Sequence, residues 1–242
     1  MIPKKIHYCW FGGAKLPKDV KKCIKSWKKY CPDYEIIQWN ETNFNTECIR
    51  FVKEAYKEKA WAFVSDYARL KIIYENGGIY LDTDVEIVKN IDELLSNDCY
   101  FAEHQNAKTV NTGLGFGAVK HNKIIKEMMD EYEKIVFDNA NKQNFICTVL
   151  NTKILYKYGY IYDFNKIITL DNSKITIYPP KYFDPIAPGS ENNLLCNETF
   201  SIHHYSASWM NKRYILKRKF IRIIGQNKIN KLKKYLKNIK KN

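Results

Sequence analysis

The stretch Asn76-Gly77-Gly78-Ile79-Tyr80-Leu81-Asp82-Thr83-Asp84 decides the fold class of this 242-residue chain. The two glycines predict the end of a helix, because glycine readily adopts the left-handed backbone that commonly terminates one. Residues 79–81 form a short apolar run typical of a buried strand. The carboxylates of Asp82 and Asp84 follow directly. They are therefore predicted at the carboxyl edge of a sheet, where open α/β folds bind their ligands.

The segments on both sides of this stretch alternate between strand and helix patterns. Before it, we predict strands over 6–11 and 34–39 and helices over 17–31, 46–57 and 60–76. This alternation predicts an α/β fold with a mostly parallel sheet and helices on its faces. After residue 90 the pattern loosens into α+β additions, with these predictions: strands over 99–103 and 114–119, helices over 123–137 and 145–158, and short β-prone runs within 160–205.

The positive charge of the chain is concentrated at its C-terminal end. Lysine and arginine number 40 against 26 acidic residues, a formal net charge of +14. Residues 212–242 hold 13 of the basic residues and no acid, so residues 1–211 are nearly neutral. A body of this kind excludes a protein that wraps duplex DNA with a uniformly basic surface. We predict one folded domain over 1–211 and a tail over 212–242.

Apolar residues interleave with the basic ones in the tail, which predicts one or two basic amphipathic helices. Such helices lie on anionic membrane surfaces, so we expect peripheral attachment through residues 212–242. A solvated basic helix stays open as an alternative. A nucleic-acid-binding tail is disfavoured, because only Tyr214, Phe220 and Tyr235 are available to stack on bases.

The seven cysteines are scattered without a C-x-x-C pair, so neither a disulfide framework nor a zinc site is predicted. A reducing cytosolic compartment is the simplest interpretation. The first residues lead into a predicted strand without the apolar run of a signal peptide, and no apolar stretch approaches the roughly 18 residues of a spanning helix. We expect a cytoplasmic protein, peripheral at the inner face of the cell membrane.

Asp82 and Asp84 are candidate metal ligands. Two neighbouring carboxylates repel each other unless a proton or a cation lies between them. Hard oxygen ligands suit Mg²⁺ or Mn²⁺, which commonly carry substrate phosphates. A solvated acidic turn is the alternative for a D-x-D motif taken alone, because short motifs give many false matches.

Asp66 and Arg69 form a second candidate group. They lie three residues apart on the predicted helix 60–76, so they share a face and could project over the same sheet edge. A carboxylate could bind a sugar hydroxyl, and a guanidinium could bind phosphate. The alternative is an exposed ion pair within the helix, which would contribute only about 0.3 kcal/mol.

Four blocks stand in this order along the chain: IPKKIHYCWFGG at 2–13, SDYAR at 65–69, GGIYLDTD at 77–84 and HHYSASW at 203–209. In content and order they resemble the DXD-containing sugar transferases of glycosyltransferase family 32. That family includes the yeast Golgi initiating α-1,6-mannosyltransferase and bacterial capsular polysaccharide enzymes, and the glucosylating domains of large clostridial toxins share the blocks. The resemblance implies a Rossmann-like GT-A fold and retaining transfer of a sugar from a nucleotide sugar, with Mn²⁺ or Mg²⁺.

The resemblance also implies roles for single residues around the donor. Tyr8 and Trp10 would lie at the nucleotide, with Trp10 stacking on the base. Tyr80 would contact the ribose or phosphate region. Asp66 would bind sugar hydroxyls, and Arg69 would bind the sugar or the diphosphate.

At the metal, the resemblance implies Asp84 as a direct ligand and Asp82 as a contact to the ribose and to metal-bound water. In the toxin-like enzymes a glutamate five residues before a functional tryptophan also meets the metal. Counting back from Trp209 leads here to His204, a different residue type that is still competent to bind a metal. Ser208 and Trp209 would contact the diphosphate and help to hold the leaving group.

Catalytic roles are thus expected of Asp66, Arg69, Asp82, Asp84 and Asn111, the last from a polar position near the donor sugar. The expected activity is transfer of a hexose to a glycan or lipid-linked saccharide in cell-surface polysaccharide synthesis, with UDP-hexose favoured over GDP-mannose. A non-catalytic basic protein that binds membranes is the alternative from another class, and it predicts no metal-dependent nucleotide binding. Nucleotidyl or phosphoryl transfer is a further alternative, but the chain has no P-loop or kinase-type glycine motif.

Overall fold

The structure describes residues 1–171 and 174–206, in a computed structural model. Its strands are β1 Lys5–Cys9, β2 Glu35–Trp39, β3 Gly78–Tyr80, β4 Val85–Ile87, β5 Cys99–Ala102, β6 Phe116–Ala118, β7 Ile168–Leu170, β8 Ile175–Tyr178 and β9 Ser201–His203. Its α-helices are α1 Lys18–Tyr30, α2 Arg50–Lys57, α3 Trp61–Asn76, α4 Lys123–Glu133, α5 Cys147–Lys157 and α6 Pro180–Phe183. Short 3₁₀ segments lie at Asp92–Ser96 and Asn139–Phe145.

A seven-stranded sheet in the order β2-β1-β3-β6-β5-β8-β7 forms the centre of the fold. The pairs β1–β2, β1–β3 and β5–β8 are parallel, whereas β6 is antiparallel to both of its neighbours and β7 to β8. Five of the seven strands therefore run in the same direction. The predicted mostly parallel sheet, flanked by helices, is confirmed.

The two faces of the sheet carry separate apolar cores, because neighbouring side chains of a strand point to opposite faces. Tyr80 packs in the core beneath helices α2 to α5. Its neighbour Ile79 packs in the other core, with Trp27 of α1 and Phe183 of α6. Within the described residues, no helix has both the length and the apolar character needed to cross a membrane.

Two predicted helices are shorter than expected. The helix predicted over 123–137 ends at Glu133. The pattern also predicts a helix over 46–57, but α2 begins at Arg50. The preceding residues form turns in which the side chain of Asn40 accepts the Thr42 N–H and that of Asn45 accepts the Glu47 N–H. Asparagine side chains favour such turns because they offer the backbone a local alternative to helical hydrogen bonds.

A second, two-stranded sheet joins distant parts of the chain. β4, which follows the D-x-D motif, pairs antiparallel with β9, and Val85 is in register with His203. The indole N–H of Trp27 donates to the Val85 carbonyl at 2.7 Å, so α1 packs directly on this small sheet. The C-terminal block at 203–206 is thereby held beside the carboxylates of the D-x-D motif.

The backbone conformation and the lack of room for a side chain both require glycine at positions 77 and 78. Gly77 has φ 65° and its N–H donates to the Ile73 carbonyl at 2.8 Å, which ends α3. Gly78 has φ 107°, and a Cβ there would lie 2.9 Å from both the Lys5 carbonyl oxygen and His7 Nε2. Only glycine accommodates this backbone with so close an approach to β1.

His7 ties the Gly-Gly turn to the edge of the sheet. The Trp39 indole N–H donates to His7 Nδ1 at 3.0 Å, and His7 Nε2 lies 3.0 Å from the Gly77 carbonyl oxygen. Because an indole nitrogen only donates, Nδ1 must be unprotonated and Nε2 must carry the proton. Burial disfavours the charged ring and lowers the pKa of His7 from 6.5 to about 4.

We expect the free energy of unfolding to decrease as the pH is lowered, because His7 is buried in its neutral form. Between pH 6.5 and pH 4 the unfolded chain binds a proton at His7 that the folded chain excludes, so stability is complete above pH 6.5 and decreases below it. The loss between pH 7 and pH 5 should be about 2 kcal/mol. Urea denaturation of the wild type and of His7→Gln at both pH values measures it. A difference between the two proteins that does not change with pH would contradict the prediction.

Candidate functional site

A cavity of about 440 Å³ opens at the carboxyl edge of β1 and β3. This is the edge at which ligands bind in open α/β folds. The structure brings these predicted site residues together in its wall: Trp10, Asp66, Arg69, Tyr80, Asp82, Asp84 and Asn111. Ser208 and Trp209 lie outside the described residues, as does the predicted tail 212–242.

The guanidinium of Arg69 lies at the base of the cavity between two carboxylates. Its Nη2 is 3.1 Å from Asp66 Oδ1 and 3.1 Å from Asp82 Oδ1, and the Arg69 side chain is only 4% exposed. Its Nε donates to the Ser65 carbonyl at 3.1 Å and its Nη1 to Thr112 Oγ1 at 3.3 Å. The pair predicted within one helix is thus a buried network of charges, and an exposed surface ion pair is excluded.

Burial raises the pKa of both carboxyl groups beside Arg69. The pKa of Asp66 rises to about 6, because the cost of burying a charge exceeds the favourable effect of the guanidinium. The pKa of Asp82 is raised by the same cause, and Asp84 adds to the effect through like-charge repulsion. Burial and the neighbouring Asp84 thus oppose a full negative charge on Asp82, although Arg69 favours it. A cation at the D-x-D motif would relieve the repulsion between the two carboxylates.

Asp84 is held by the C-terminal block. Its carboxylate lies 3.0 Å from His203 Nε2 and accepts the Ser206 N–H at 2.7 Å. Burial alone would raise the pKa of Asp84, but the attraction and hydrogen bond of His203 outweigh it and lower the pKa to about 2. Asp84 is therefore ionised at neutral pH, and it orients the imidazole of His203.

The side chains of Asp82, Asp84 and His203 form a group whose nearest ligand atoms all lie within 4.8 Å of one another. His203 Nδ1 is buried and has no hydrogen-bond partner among the described residues. Two carboxylates with one imidazole are a ligand set that divalent cations accept. The residues present therefore fit a divalent metal ion.

His204, the predicted metal ligand, does not join this group. Its Nε2 lies 2.7 Å from Glu86 Oε2, whereas the neighbouring His203 meets Asp84. The reason is the antiparallel pairing of β4 with β9, in which consecutive side chains point to opposite sides. We therefore replace His204 by His203 in the candidate metal site.

Tyr8 is also absent from the cavity wall. Its position on β1 directs its ring into the opposite core, edge-on to Trp27 with the ring centroids 5.5 Å apart. Its hydroxyl donates to Gln38 Oε1 at 2.9 Å. Trp10 follows the end of β1, so the alternation of side chains along the strand does not fix its direction. Its ring lines the cavity, and its indole N–H donates to the Ala14 carbonyl.

The loop after β5 supplies the predicted Asn111 and also Gly113, which the sequence pattern did not assign to the site. Asn111 lines the cavity and its Oδ1 accepts the Gly113 N–H at 2.8 Å. A Cβ on Gly113 would lie 2.3 Å from Asp82 Oδ2. The absence of a side chain at Gly113 therefore leaves the space that the Asp82 carboxylate occupies. An asparagine followed two residues later by glycine is a turn signal, but nothing local shows what the turn faces.

Three further residues of the cavity wall carry no local sequence signal. Cys147 of α5 lies 4.0 Å from Arg69 Nη1. Trp61 of α3 packs against Gly12, where a Cβ would lie 2.8 Å from the indole. The Tyr205 ring is tilted by 58° against the His203 ring, with the ring centroids 4.0 Å apart. Each comes to the cavity through tertiary packing, so only the folded structure identifies it.

Comparison with known proteins agrees with this site. Residues 17–101 match the family model described as a glycosyltransferase sugar-binding region containing a DXD motif. An uncharacterized glycosyltransferase of Acanthamoeba polyphaga mimivirus is 26% identical over 220 residues, which cover 86% of this chain and 84% of the relative. The human alpha-1,4-N-acetylglucosaminyltransferase is 30% identical over 138 residues, which cover 55% of this chain but only 37% of that enzyme.

Among solved structures, that of the PaToxG glycosyltransferase matches with a TM-score of 0.53 and 20% sequence identity, and the match covers 64% of this chain and 68% of that one. At this identity the likeness shows the fold, which is GT-A. The matched family region includes both the Asp66–Arg69 pair and the D-x-D motif at the cavity. Residues 17–101 thus carry the DXD-containing sugar-binding region of glycosyltransferases, and the chain is a glycosyltransferase built on a GT-A fold.

Proposed function

We propose that the protein is a metal-dependent, retaining glycosyltransferase that moves a hexose from a UDP-sugar to a glycan or lipid-linked saccharide in cell-surface polysaccharide synthesis. The observation that carries the proposal is the meeting of a buried arginine with an Asp-Asp-His group in one cavity. A volume of about 440 Å³ lies within the range of small-molecule sites.

Asp82, Asp84 and His203 would hold the divalent ion, Mn²⁺ or Mg²⁺. When bound, such an ion neutralises negative charge on the diphosphate of the donor as the sugar departs. His203 is oriented for this role by its contact with Asp84. Because a coordinating imidazole must be neutral, the ion would take the place of the proton that His203 holds beside Asp84, and metal binding would release that proton.

Arg69 provides the fixed positive charge of the site. Its contacts with Asp66, Asp82 and Thr112 hold the guanidinium in one orientation before any ligand arrives. A preoriented charge stabilises the leaving diphosphate without reorganisation at the moment of reaction. The Trp10 ring lines the cavity wall and would stack on the nucleobase.

The arrangement of the carboxylates supports attack of the acceptor from the same face as the leaving group. A covalent intermediate would need a carboxylate free to act as nucleophile. Each aspartate of the cavity wall is engaged instead: Asp66 and Asp82 with Arg69, and Asp84 with His203 and Ser206. Asp66 would then bind hydroxyls of the donor sugar, and Asn111 would offer a polar contact to the same sugar.

Calorimetric titration with UDP, GDP and CDP, in Mn²⁺ and in EDTA, tests the proposal. We expect UDP to bind in Mn²⁺ and to lose at least tenfold in affinity in EDTA, because the diphosphate would then face the Asp82 and Asp84 carboxylates without a cation between them. Selective binding of GDP would change the donor to GDP-mannose. Binding of no nucleotide under either condition would exclude the proposed activity.

Matched variants sharpen the same titration. Asp84→Asn and His203→Ala should abolish the difference between Mn²⁺ and EDTA, because each removes a proposed ligand. Glu86→Gln and His204→Ala are their controls, since this neighbouring pair contacts each other and not the cavity. The controls should bind UDP within about threefold of the wild type. Equal losses in both pairs would contradict the choice of His203.

A methyl group at Gly113 should damage the site without unfolding the protein. Gly113→Ala places its Cβ against Asp82 Oδ2, so the carboxylate must shift from the position in which its Oδ1 meets Arg69. We expect Mn²⁺-dependent UDP affinity to fall about tenfold or more, while circular dichroism shows the protein still folded at the temperature of the titration. The control is Gly189→Ala, which strains the backbone at φ 83° but lies away from the cavity, so it should keep the wild-type UDP affinity even where it lowers the melting temperature. An unchanged UDP affinity in Gly113→Ala would show that Asp82 tolerates displacement.

We further propose that residues 212–242 attach the protein to the inner face of the cell membrane. The support is compositional: 13 basic residues and no acid, interleaved with apolar residues. Co-sedimentation with anionic vesicles should be strong for the full chain and much weaker for a 1–211 truncation, because each near-surface basic residue contributes about 1 kcal/mol before screening. Equal pelleting of the two proteins would remove the tail from the proposal.

A further inference from the structure

Helix α1, Lys18–Tyr30, presents a face made of lysine. At 3.6 residues per turn its lysines fall within an arc of about 120°, and the arc is about 16 Å long. All six are exposed: Lys18, Lys21, Lys22, Lys25, Lys28 and Lys29. The only acid of the helix, Asp19, falls outside that arc. We call this arc the α1 lysine face.

The helix is fixed so that this face points to solvent. Its opposite side buries Val20, Cys23 and Trp27. The Trp27 indole N–H donates to the Val85 carbonyl at 2.7 Å, and Ser26 Oγ accepts the Ile87 N–H at 3.0 Å. Because these bonds join α1 to β4, the helix cannot roll to bury its lysines.

Other helices of the described chain place their lysines beside acids. In α3, Lys71 pairs with Glu75 at 2.6 Å. In α4, Lys123 lies 3.8 Å from Glu127, and Lys126 pairs with Asp130. Such pairs at a spacing of four residues stabilise a helix, whereas like charges at that spacing destabilise it. The α1 lysine face therefore differs from these helices of residues 1–171.

The α1 lysine face contains several like-charged pairs at spacings of three or four residues, such as Lys21 with Lys25 and Lys25 with Lys29. Lys22 of this face lies 3.9 Å from Glu86, a long ion pair that offsets little of the repulsion between the lysines. An arrangement that opposes the folding of its own helix is expected where the charges serve an external partner. That partner must present many negative charges over at least the length of the face.

We propose that the α1 lysine face is a docking surface for an anionic lipid bilayer. A convex helix side offers no groove to follow a nucleic-acid strand, and the face carries no aromatic ring or arginine to read or stack on bases. Lysine is a compact, strongly hydrated charge suited to diffuse attraction by a plane of lipid headgroups. No apolar side chain of the face would insert, so the contact is electrostatic and reversible.

The docking would also orient the candidate site. Ala14, which lines the cavity, lies four residues before Lys18, and the loop that joins β1 to α1 carries Trp10. The first turn of α1 therefore follows directly on the loop that carries Trp10 and Ala14 of the cavity wall. A bilayer at the α1 lysine face would bring a membrane-borne acceptor to the side of the protein on which this loop lies. The binding itself depends neither on the nucleotide nor on the metal.

Vesicle binding of the full-length protein tests the inference. The test variant is Lys21→Gln, Lys25→Gln and Lys28→Gln together. The control removes equal charge from α4 and the residue after it, on the opposite face of the sheet, through Lys123→Gln, Lys126→Gln and Lys134→Gln. Vesicles of phosphatidylcholine and phosphatidylglycerol at 3:1 are compared with pure phosphatidylcholine, and circular dichroism verifies folding.

The test variant should partition about tenfold or more weakly onto the anionic vesicles, because each lysine near the surface contributes about fivefold before screening. The control should bind like the wild type, and all proteins should leave neutral vesicles unbound. Equal losses in both variants would reduce the effect to net charge and overturn the docking surface. An unchanged test variant would also overturn it. Weaker binding to an RNA fragment with unchanged vesicle binding would assign the face to nucleic acid instead.

Discussion

The buried guanidinium of Arg69 is the group on which the candidate site depends. It joins Asp66 of its own helix, Asp82 of the D-x-D motif and Thr112 of the loop after β5. Three separate segments thus converge on one charge. Removing one partner of such a network leaves buried charge uncompensated, which is strongly destabilising. Apolar packing could hold the same segments without that risk, so the network is best explained by the chemistry of the cavity.

The pairing of β4 with β9 adds the remaining side chains of the candidate site to those held by Arg69. It brings His203 to Asp84 across 119 positions of sequence and gives the cluster its third ligand-competent side chain. The same pairing sends His204 to Glu86, on the other side of the strand. The small sheet rests on α1 through Trp27, so the metal-binding group and the α1 lysine face belong to one packed unit.

Basic and acidic residues are concentrated in different parts of the folded protein. Residues 1–211 are nearly neutral in composition, but their charges are not evenly mixed. The cavity gathers aspartates around one arginine, whereas one side of α1 gathers six lysines and no acid. A divalent ion and a nucleotide diphosphate would each complement the first arrangement, and an anionic surface would complement the second. Both arrangements are local departures from the paired charges of the other helices.

The sequence by itself determined the order of strands and helices through residue 90, the Gly-Gly turn and the placement of Asp66, Arg69, Asp82 and Asp84 at one sheet edge. These features follow from local rules: apolar periodicity, the backbone freedom of glycine, and the spacing of residues on one helix. Short motifs and their order along the chain were enough to indicate a glycosyltransferase.

Only the tertiary structure decided which side chains complete the cavity. Alternation along β9 allowed one of two adjacent histidines to meet Asp84, but the choice of His203 required the register with β4. Tyr8 was excluded because the pleat of β1 turns it into the opposite core. Gly113 became significant only once its loop lay against Asp82. Each of these facts depends on contacts between residues far apart in sequence, and no local pattern records such contacts.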